Sequence, residues 1–275
     1  MAGFVAVTGA AGKTGRAVVA ALSRRGVRTR ALVHRDEQAA TGVPGAADSV
    51  AVDLADADAV AEAVDGCDAL YLIAPNMHDD EPGLAGSVIQ ACGDRGVRRL
   101  VYHSVIHPYV PAMPHHLGKA EVEATLHESG LDWTVLQPAS YFENAYGVWD
   151  SVRDRGVWPV PYAADSPFTS VALVDVAEVA ASTLTDPRHR FATYELAGPE
   201  VLSTADMAEI AGAVLGIDIT VQVDRDPATA AARPPRLQAM FDYYDAHGIC
   251  GNGTVLAALL HRPATTWHAW VEAHR

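Results

Sequence analysis

Residues 4–16, Phe4-Val5-Ala6-Val7-Thr8-Gly9-Ala10-Ala11-Gly12-Lys13-Thr14-Gly15-Arg16, constrain the fold of this chain more than any other stretch. A short apolar run with β-branched residues ends in a glycine-punctuated turn, and the small residues from Ala17 to Leu22 read as a helix directly behind it. In a strand–loop–helix unit each glycine has a physical task. One permits the tight turn, one lets a pyrophosphate approach the backbone, and one lets the helix pack closely on the strand. The helix N-terminus then offers N–H groups and the positive end of its dipole to phosphate. Gly9, Gly12 and Gly15 space the motif as G-x-x-G-x-x-G, not G-x-G-x-x-G. Ala11, Lys13 and Thr14 lie between them and complete the candidate dinucleotide-binding loop, with Lys13 and Arg16 adding positive charge. The competing reading is a structural turn without a ligand.

The rest of the first half repeats the pattern. Apolar runs at 3–8, 28–33, 49–52, 69–73, 99–104 and 133–137 read as strands, and 14–25, 56–64, 82–95 and 116–129 as helices. Gly26, Gly66, Gly96 and Gly130 stand just past the helix ends, where a left-handed residue closes a helix. Strand–helix alternation with nearly continuous apolar strands predicts an α/β fold, a doubly wound parallel Rossmann sheet covered on both faces. After Pro138 the regularity breaks. Residues 141–167 are rich in aromatics and proline, and helices at 173–184, 203–215, 236–247 and 252–260 with strands at 192–197 and 217–223 follow. The Ala/Pro/Arg-rich residues 226–236 read as a loop or a loop–helix junction. We expect a cofactor-binding domain over 1–138 and a smaller substrate-binding lobe over 139–275 that also returns elements to the sheet.

Composition narrows the function classes. The chain has 275 residues, 49% of them apolar, and a net charge of −14, which disfavours nucleic acid and anionic membranes as partners. Three cysteines, Cys67, Cys92 and Cys250, lie far apart without a CxxC, a pattern suited to a reducing cytoplasm rather than a disulfide framework. Strand-like sequence from Phe4 argues against a signal peptide, and no apolar run approaches the roughly 20 residues of a membrane span. The twelve histidines are scattered without metal-ligand spacing, so no metal site is expected.

Three further constellations carry candidate chemistry. The second strand ends in His34-Arg35. The Arg35 guanidinium suits a 2′-phosphate, so NADP(H) is favoured, while Asp36 one step later keeps NAD(H) open. Asp53 and Leu54 end the third strand and could hold the adenine; alternatively Asp53 or Asp56 caps the next helix. Ala74 and Pro75 follow the fourth strand, where a cofactor crosses the carboxyl ends of the strands. The catalytic candidates are Ser104 at the end of strand five and His115 and Lys119, four apart and so on one helix face. A lysine can hold the nicotinamide ribose, a histidine can exchange a proton near neutral pH, and a serine can orient a carbonyl. The plain alternative is a solvated helix start with Lys119 paired to Glu123 or another carboxylate. The aromatics Tyr102, Tyr141, Tyr146 and Trp149 are candidates for stacking on a flat substrate, against an ordinary role in the core.

With these residues in place the chain resembles the NmrA-like atypical short-chain dehydrogenases/reductases, a group that includes type-2 NAD(P)H:quinone oxidoreductases, triphenylmethane-dye reductases and redox sensors. The resemblance rests on Val7 to Gly15, on Leu32 to Arg35, and on His115, Lys119 and Glu123 as an H-x-x-x-K-x-x-x-E motif. It extends through Leu136 to Asn144, Gly198 to Ala208 and Leu260 to Trp267. It implies cofactor contact at Pro138 and substrate contact at Asn144. Two departures stand out. Gln137 replaces the group's arginine before Pro138, and His115 stands where the wider superfamily has its catalytic tyrosine. The expectation is an NAD(P)H-dependent reductase of a small aromatic or quinone-like acceptor, cytoplasmic and homodimeric. The alternatives are a non-catalytic NAD(P) sensor, or a tailoring enzyme acting as ketoreductase, epimerase or oxygenating catalyst on an aromatic polyketide.

Overall fold

The computed structural model describes residues 4–275; Gly3, at the start of the first expected strand, lies outside the described residues. The chain runs β1 (Phe4–Val7), α1 (Lys13–Arg24), β2 (Thr29–Val33), α2 (Asp36–Thr41), β3 (Asp48–Ala51), α3 (Ala57–Val64), β4 (Cys67–Leu72), α4 (Glu81–Asp94), β5 (Arg99–His103), α5 (Pro114–Glu128) and β6 (Asp132–Pro138). It continues through α6 (Trp149–Arg155), β7 (Val157–Val160), α7 (Leu173–Thr185), β8 (Ala192–Leu196), α8 (Thr204–Leu215) and β9 (Thr220–Val223). The short helix α9 (Pro227–Ala232), then α10 (Pro235–His247), α11 (Thr254–Leu260) and α12 (Trp267–Ala273), complete it.

The central sheet has seven strands in the order β3-β2-β1-β4-β5-β6-β8. All the pairings from β3 to β6 are parallel. The strand order reverses between β1 and β4, which makes the crevice at their carboxyl ends the topological switch point where such sheets bind ligands. Val5–Val7, Leu70–Leu72 and Leu100–Tyr102 are buried, so the central strands are enclosed on both faces as their apolar runs require.

The chain divides into two compact units. One comprises residues up to Tyr109 with Leu117–Gln137 and Val176–Tyr194; the other comprises Val110–His116, Pro138–Asp175 and Glu195–Arg275. The first holds β1–β5, almost all of β6 and a core that includes Leu32, Val60, Leu70, Leu100, Val122 and Val135. The second has a core of its own in which Phe142, Trp149, Trp158, Trp267 and Trp270 interlock, and the parallel pair β7–β9. The stacked pair Trp267 and Trp270 has ring centroids 4.9 Å apart, and Trp149 meets Trp270 edge-on at 5.3 Å. Two buried carboxylates staple this unit: Glu143 accepts from the Leu173 amide and the Trp270 indole, both at 2.9 Å. Asp175 accepts from Arg262 at 2.8 Å and from the Thr265 amide at 2.6 Å.

No helix among the described residues is long and apolar enough to cross a membrane.

Candidate active site

The glycine loop is built as its spacing predicts. Gly9 turns with φ +57°, a conformation that L side chains rarely adopt. A Cβ on Gly15 would lie 2.3 Å from the Gly9 carbonyl oxygen and 2.5 Å from Ala10 Cα, so only glycine lets α1 sit this close to the loop. Gly12 is the N-cap of α1, and no side chain caps that turn. The first-turn amides are therefore left for an anion, and the cradle fits a dinucleotide pyrophosphate. Ala11 and Thr14 are half-buried here and Lys13 is exposed.

Thr8, inside the motif but not marked by it, ties the loop to the far side of the switch point. Its hydroxyl donates to the Ile73 carbonyl at 2.8 Å and accepts from the Ile73 amide at 2.7 Å. The Thr8 amide reaches the Tyr71 carbonyl and the Ala10 amide the Leu32 carbonyl, both at 3.1 Å. The loop is thus fastened to the ends of β4 and β2. Ala74 is buried beyond β4, and Pro75 is exposed after it. Arg35 is exposed at the end of β2 as the N-cap of α2. Asp56, not Asp53, caps α3 by accepting from the Ala59 amide at 3.0 Å. Asp53 stays exposed and its carboxylate accepts from the Ala55 amide of its own turn, and Leu54 packs its side chain on the core.

The polar centre of the first unit lies at the carboxyl ends of β5 and β6, against α4 and α5. His115, Lys119, Val122, Glu123 and Leu126 follow one another at i, i+4, i+7, i+8 and i+11, and all are buried. The inward stripe of α5 therefore carries three polar groups among apolar ones, and each needs a partner in a place without water. Lys119 finds Glu81, which is 1% exposed, and its ammonium donates to Oε1 at 2.7 Å. Glu81 faces inward because it opens the same kind of stripe on α4, followed by Ala85, Val88, Ile89 and Cys92. The Tyr102 hydroxyl donates to the same Oε1 at 2.7 Å, and the Lys119 ammonium lies 5.6 Å from the Tyr102 ring centre. Burial and the Glu81 carboxylate push the Tyr102 phenol well above its ordinary range.

Glu123 has a different set of donors. Ser104 donates its hydroxyl to Oε1 in a very short contact. The Gln137 amide donates to both oxygens, at 2.9 and 3.0 Å, and the Tyr109 hydroxyl donates to Oε2 at 3.2 Å. Between Ser104 and Tyr102, His103 shares a hydrogen bond with the Tyr71 hydroxyl at 2.5 Å. Its burial and the nearby Lys119 charge bring its pKa down to about 3, so it is neutral over the physiological range.

Two of the expected substrate contacts are enclosed side chains. Tyr102 is fully buried with its hydroxyl committed to Glu81, and Trp149 is part of the tryptophan core of the second unit, its indole donating to the His274 carbonyl at 3.1 Å. The physical reason is the same for both: each aromatic ring lies on a core-facing position, where it offers no face to a ligand. Tyr141 is half-buried, while Asn144 and Tyr146 are exposed, with Tyr146 against Trp270 and His274. Pro138 is buried at the end of β6. His115 and His116, both buried, open α5 with their rings 6.0 Å apart. Glu81, Tyr109 and Thr8 are the site groups that sequence reasoning passed over. Only Thr8 left a trace, as the polar residue where an apolar strand meets the first glycine.

A family model described as NAD(P)H-binding matches residues 9–187. The NAD(P)H azoreductase of Xenophilus azovorans is 26% identical over 98% of this chain and 98% of its own. The (4-alkanoyl-5-oxo-2,5-dihydrofuran-3-yl)methyl phosphate reductase of Streptomyces griseus is 28% identical over 98% of both chains. An NADPH-dependent quinone oxidoreductase of Escherichia coli, solved with NADPH bound, has the same fold with a TM-score of 0.84, at 25% identity over 98% of this chain and 99% of that one.

Proposed function

The chain belongs to the NAD(P)H-binding family, and from that premise we propose that it is an NADPH-dependent reductase of flat, conjugated acceptors such as quinones or aromatic ketones. The observation that carries the reading is the first unit's carboxyl-edge layout: a phosphate cradle after β1, and an ordered lysine–carboxylate and serine–carboxylate centre after β5 and β6. Its relatives act on azo, quinone and oxo-dihydrofuran acceptors, which share a conjugated system able to accept a hydride. The reduced dinucleotide supplies that hydride from C4 of its nicotinamide.

The chain's own residues bind and orient. Gly9, Gly12 and Gly15, with Ala11, Lys13 and Thr14, hold the pyrophosphate. Exposed Arg35 selects the 2′-phosphate, and Asp53 with Leu54, and Ala74 with Pro75, border the adenine and the crossing strand ends. Lys119, fixed by Glu81 and backed by Tyr102, anchors the nicotinamide ribose. The Ser104 hydroxyl and the His115 imidazole are the groups that can pass a proton to the reduced acceptor. Tyr141, Asn144 and Tyr146 supply substrate contacts, while Tyr102 and Trp149 serve packing. The free thiols, two of them buried, suit a reducing compartment, and we place the protein in the cytoplasm.

Turnover of NADPH with a substituted benzoquinone tests these roles. His115→Ala and Lys119→Ala each lower kcat/KM by about 100-fold, the scale of a lost proton-transfer or positioning group. Unchanged turnover in both variants would remove these two residues from the site.

A further inference from the structure

Ser104, Gln137 and Tyr109 all donate to the Glu123 carboxylate, but they differ in what else they meet. Ser104 and Gln137 are buried, whereas Tyr109 is 66% exposed. The loop after β5 holds it out. Ile106 and Pro108 are buried and anchor that loop. His107 between them has φ +51°, a left-handed conformation that a bulky side chain rarely adopts. Backbone strain of this kind persists only where the surroundings fix it, and it gathers at ligand sites. Beyond that turn the Tyr109 ring stands in solvent, while its hydroxyl reaches back to Glu123 Oε2 at 3.2 Å. A large aromatic face is thus displayed to water and fastened at the same time.

We propose that Tyr109 is a stacking platform for the acceptor and gives the site a preference for fused two-ring acceptors over single-ring ones. The inference rests on the reductase reading above and deepens it. Tyr109 and Ser104 bind opposite oxygens of one carboxyl group, so the phenol is fixed beside the end of β5, where that reading puts the reaction. The hydroxyl points in and the ring lies outward of it. Its face therefore begins outward of Ser104, where a second fused ring lies when the first is at the reacting centre. The Gln137 amide bonds both carboxylate oxygens and holds their plane, so the tether has a fixed anchor. Partial burial and the Glu123 carboxylate raise the Tyr109 phenol above its usual range, so the hydroxyl stays a donor and the tether holds at neutral pH. A tethered ring has already given up rotamer freedom, and stacking on it costs less than stacking on a free one. Flat ligands favour the offset arrangement that such a face allows. Tyr109 binds and orients; it supplies neither hydride nor proton.

The test uses the full chain as wild type, Tyr109→Leu and Tyr109→Phe. Leucine keeps apolar bulk without an aromatic face, and phenylalanine keeps the face without the tether. NADPH turnover is measured with 1,4-naphthoquinone and with 1,4-benzoquinone, beside NADPH affinity and thermal midpoint. Both variants, at an exposed position, are expected to keep the NADPH affinity and the midpoint. In Tyr109→Leu the ratio of kcat/KM for naphthoquinone over benzoquinone falls about tenfold, the scale of one aromatic pair. The loss appears in KM for naphthoquinone rather than in kcat, as expected for binding made equally in the ground and transition states. Tyr109→Phe loses about threefold in the same ratio, because its ring is present but loose. A merely structural role would lower both quinones together and leave the ratio where it was. An unchanged ratio in Tyr109→Leu would overturn the proposal.

A second arm needs no turnover. The protein is produced with 3-fluorotyrosine, and the Tyr109 resonance is identified as the fluorine signal missing in Tyr109→Leu. 1-Naphthol, a flat two-ring probe that accepts no hydride, is titrated in with NADP+ present. The platform predicts that the Tyr109 signal moves with added naphthol and that phenol, the one-ring counterpart, moves it less. A signal that naphthol leaves in place refutes it. If the wild type oxidises no NADPH with either quinone, the reductase reading fails, while this arm still decides whether Tyr109 takes flat rings.

Discussion

At the scale of single residues, the site is organised by two carboxylates with opposite company. Glu81 has a cation on it and Glu123 has three neutral donors. The difference sets what each holds: Glu81 fixes the Lys119 ammonium through an ion pair, whereas Glu123 gathers the Ser104 hydroxyl and the Gln137 amide at the ends of β5 and β6. Glu81→Gln leaves the Lys119 ammonium buried without its counter-charge. The expected loss is about 3–5 kcal/mol, the cost of a broken buried pair, and in a chain this long the thermal midpoint falls by roughly 2–4 °C per kcal/mol. Calorimetry on the purified variant measures it. Arg35 offers the complementary, surface-side test. Arg35→Ala weakens NADPH by about 10- to 100-fold, the worth of a charged hydrogen bond, and leaves NADH affinity unchanged, as read by quenching of protein fluorescence in parallel titrations.

At the scale of elements, α1 and α5 show how far a one-dimensional pattern reaches. The α1 glycines dictate both its entry angle and its ligand, because Gly15 has no room for even a methyl group. Gly15→Ala therefore pushes α1 off the loop, and NADPH binding falls by at least tenfold together with a lower thermal midpoint. Binding and melting measured on the same sample check that the two effects occur together. The parallel strands and their covering helices were legible because apolar runs and glycine stops repeat along the first 130 residues or so. The short helices α2, α6, α9 and α12, each of six or seven residues, were not, since pieces of that length draw their stability from tertiary packing rather than from propensity.

The site was legible in the same graded way. The loop and the His115–Lys119 face of α5 could be read from spacing. The partner of Lys119 could not, because Glu81 is separated from it by 38 residues and faces inward only through the packing of α4. Glu123 at i+4 looked like that partner, but the ends of β5 and β6 bring Ser104 and Gln137 to it instead. The packed rings of Tyr102 and Trp149 escaped a sequence reading for a related reason. Residue type distinguishes a ring that stacks on a ligand from a ring that packs in a core only when its neighbours in space are known.

At the scale of the whole molecule, buried titratable groups set the pH range of stability. His103 has its pKa lowered from 6.5 to about 3 in the folded protein, so below about pH 6.5 the unfolded chain takes up a proton that the native one refuses. Stability therefore falls as pH drops from 6.5 toward 3, and His103→Gln makes that acid limb shallower in urea denaturation. The thiols act at the other end. Burial pushes Cys67 from 9.0 up to about 11 and Cys92 up to about 12, so above pH 9.0 the unfolded chain loses protons first and stability declines with rising pH. Between these limits the fold has one task to perform, and it can be followed atom by atom. NADPH carrying deuterium at the transferable C4 position is incubated with the wild-type protein and a conjugated quinone or azo acceptor, and the isotope is traced by mass spectrometry and NMR. The reductase account predicts stoichiometric oxidised cofactor, reduced acceptor and a primary isotope effect on the oxidation. Tight NADPH binding with no oxidation across a broad panel of such acceptors would contradict it.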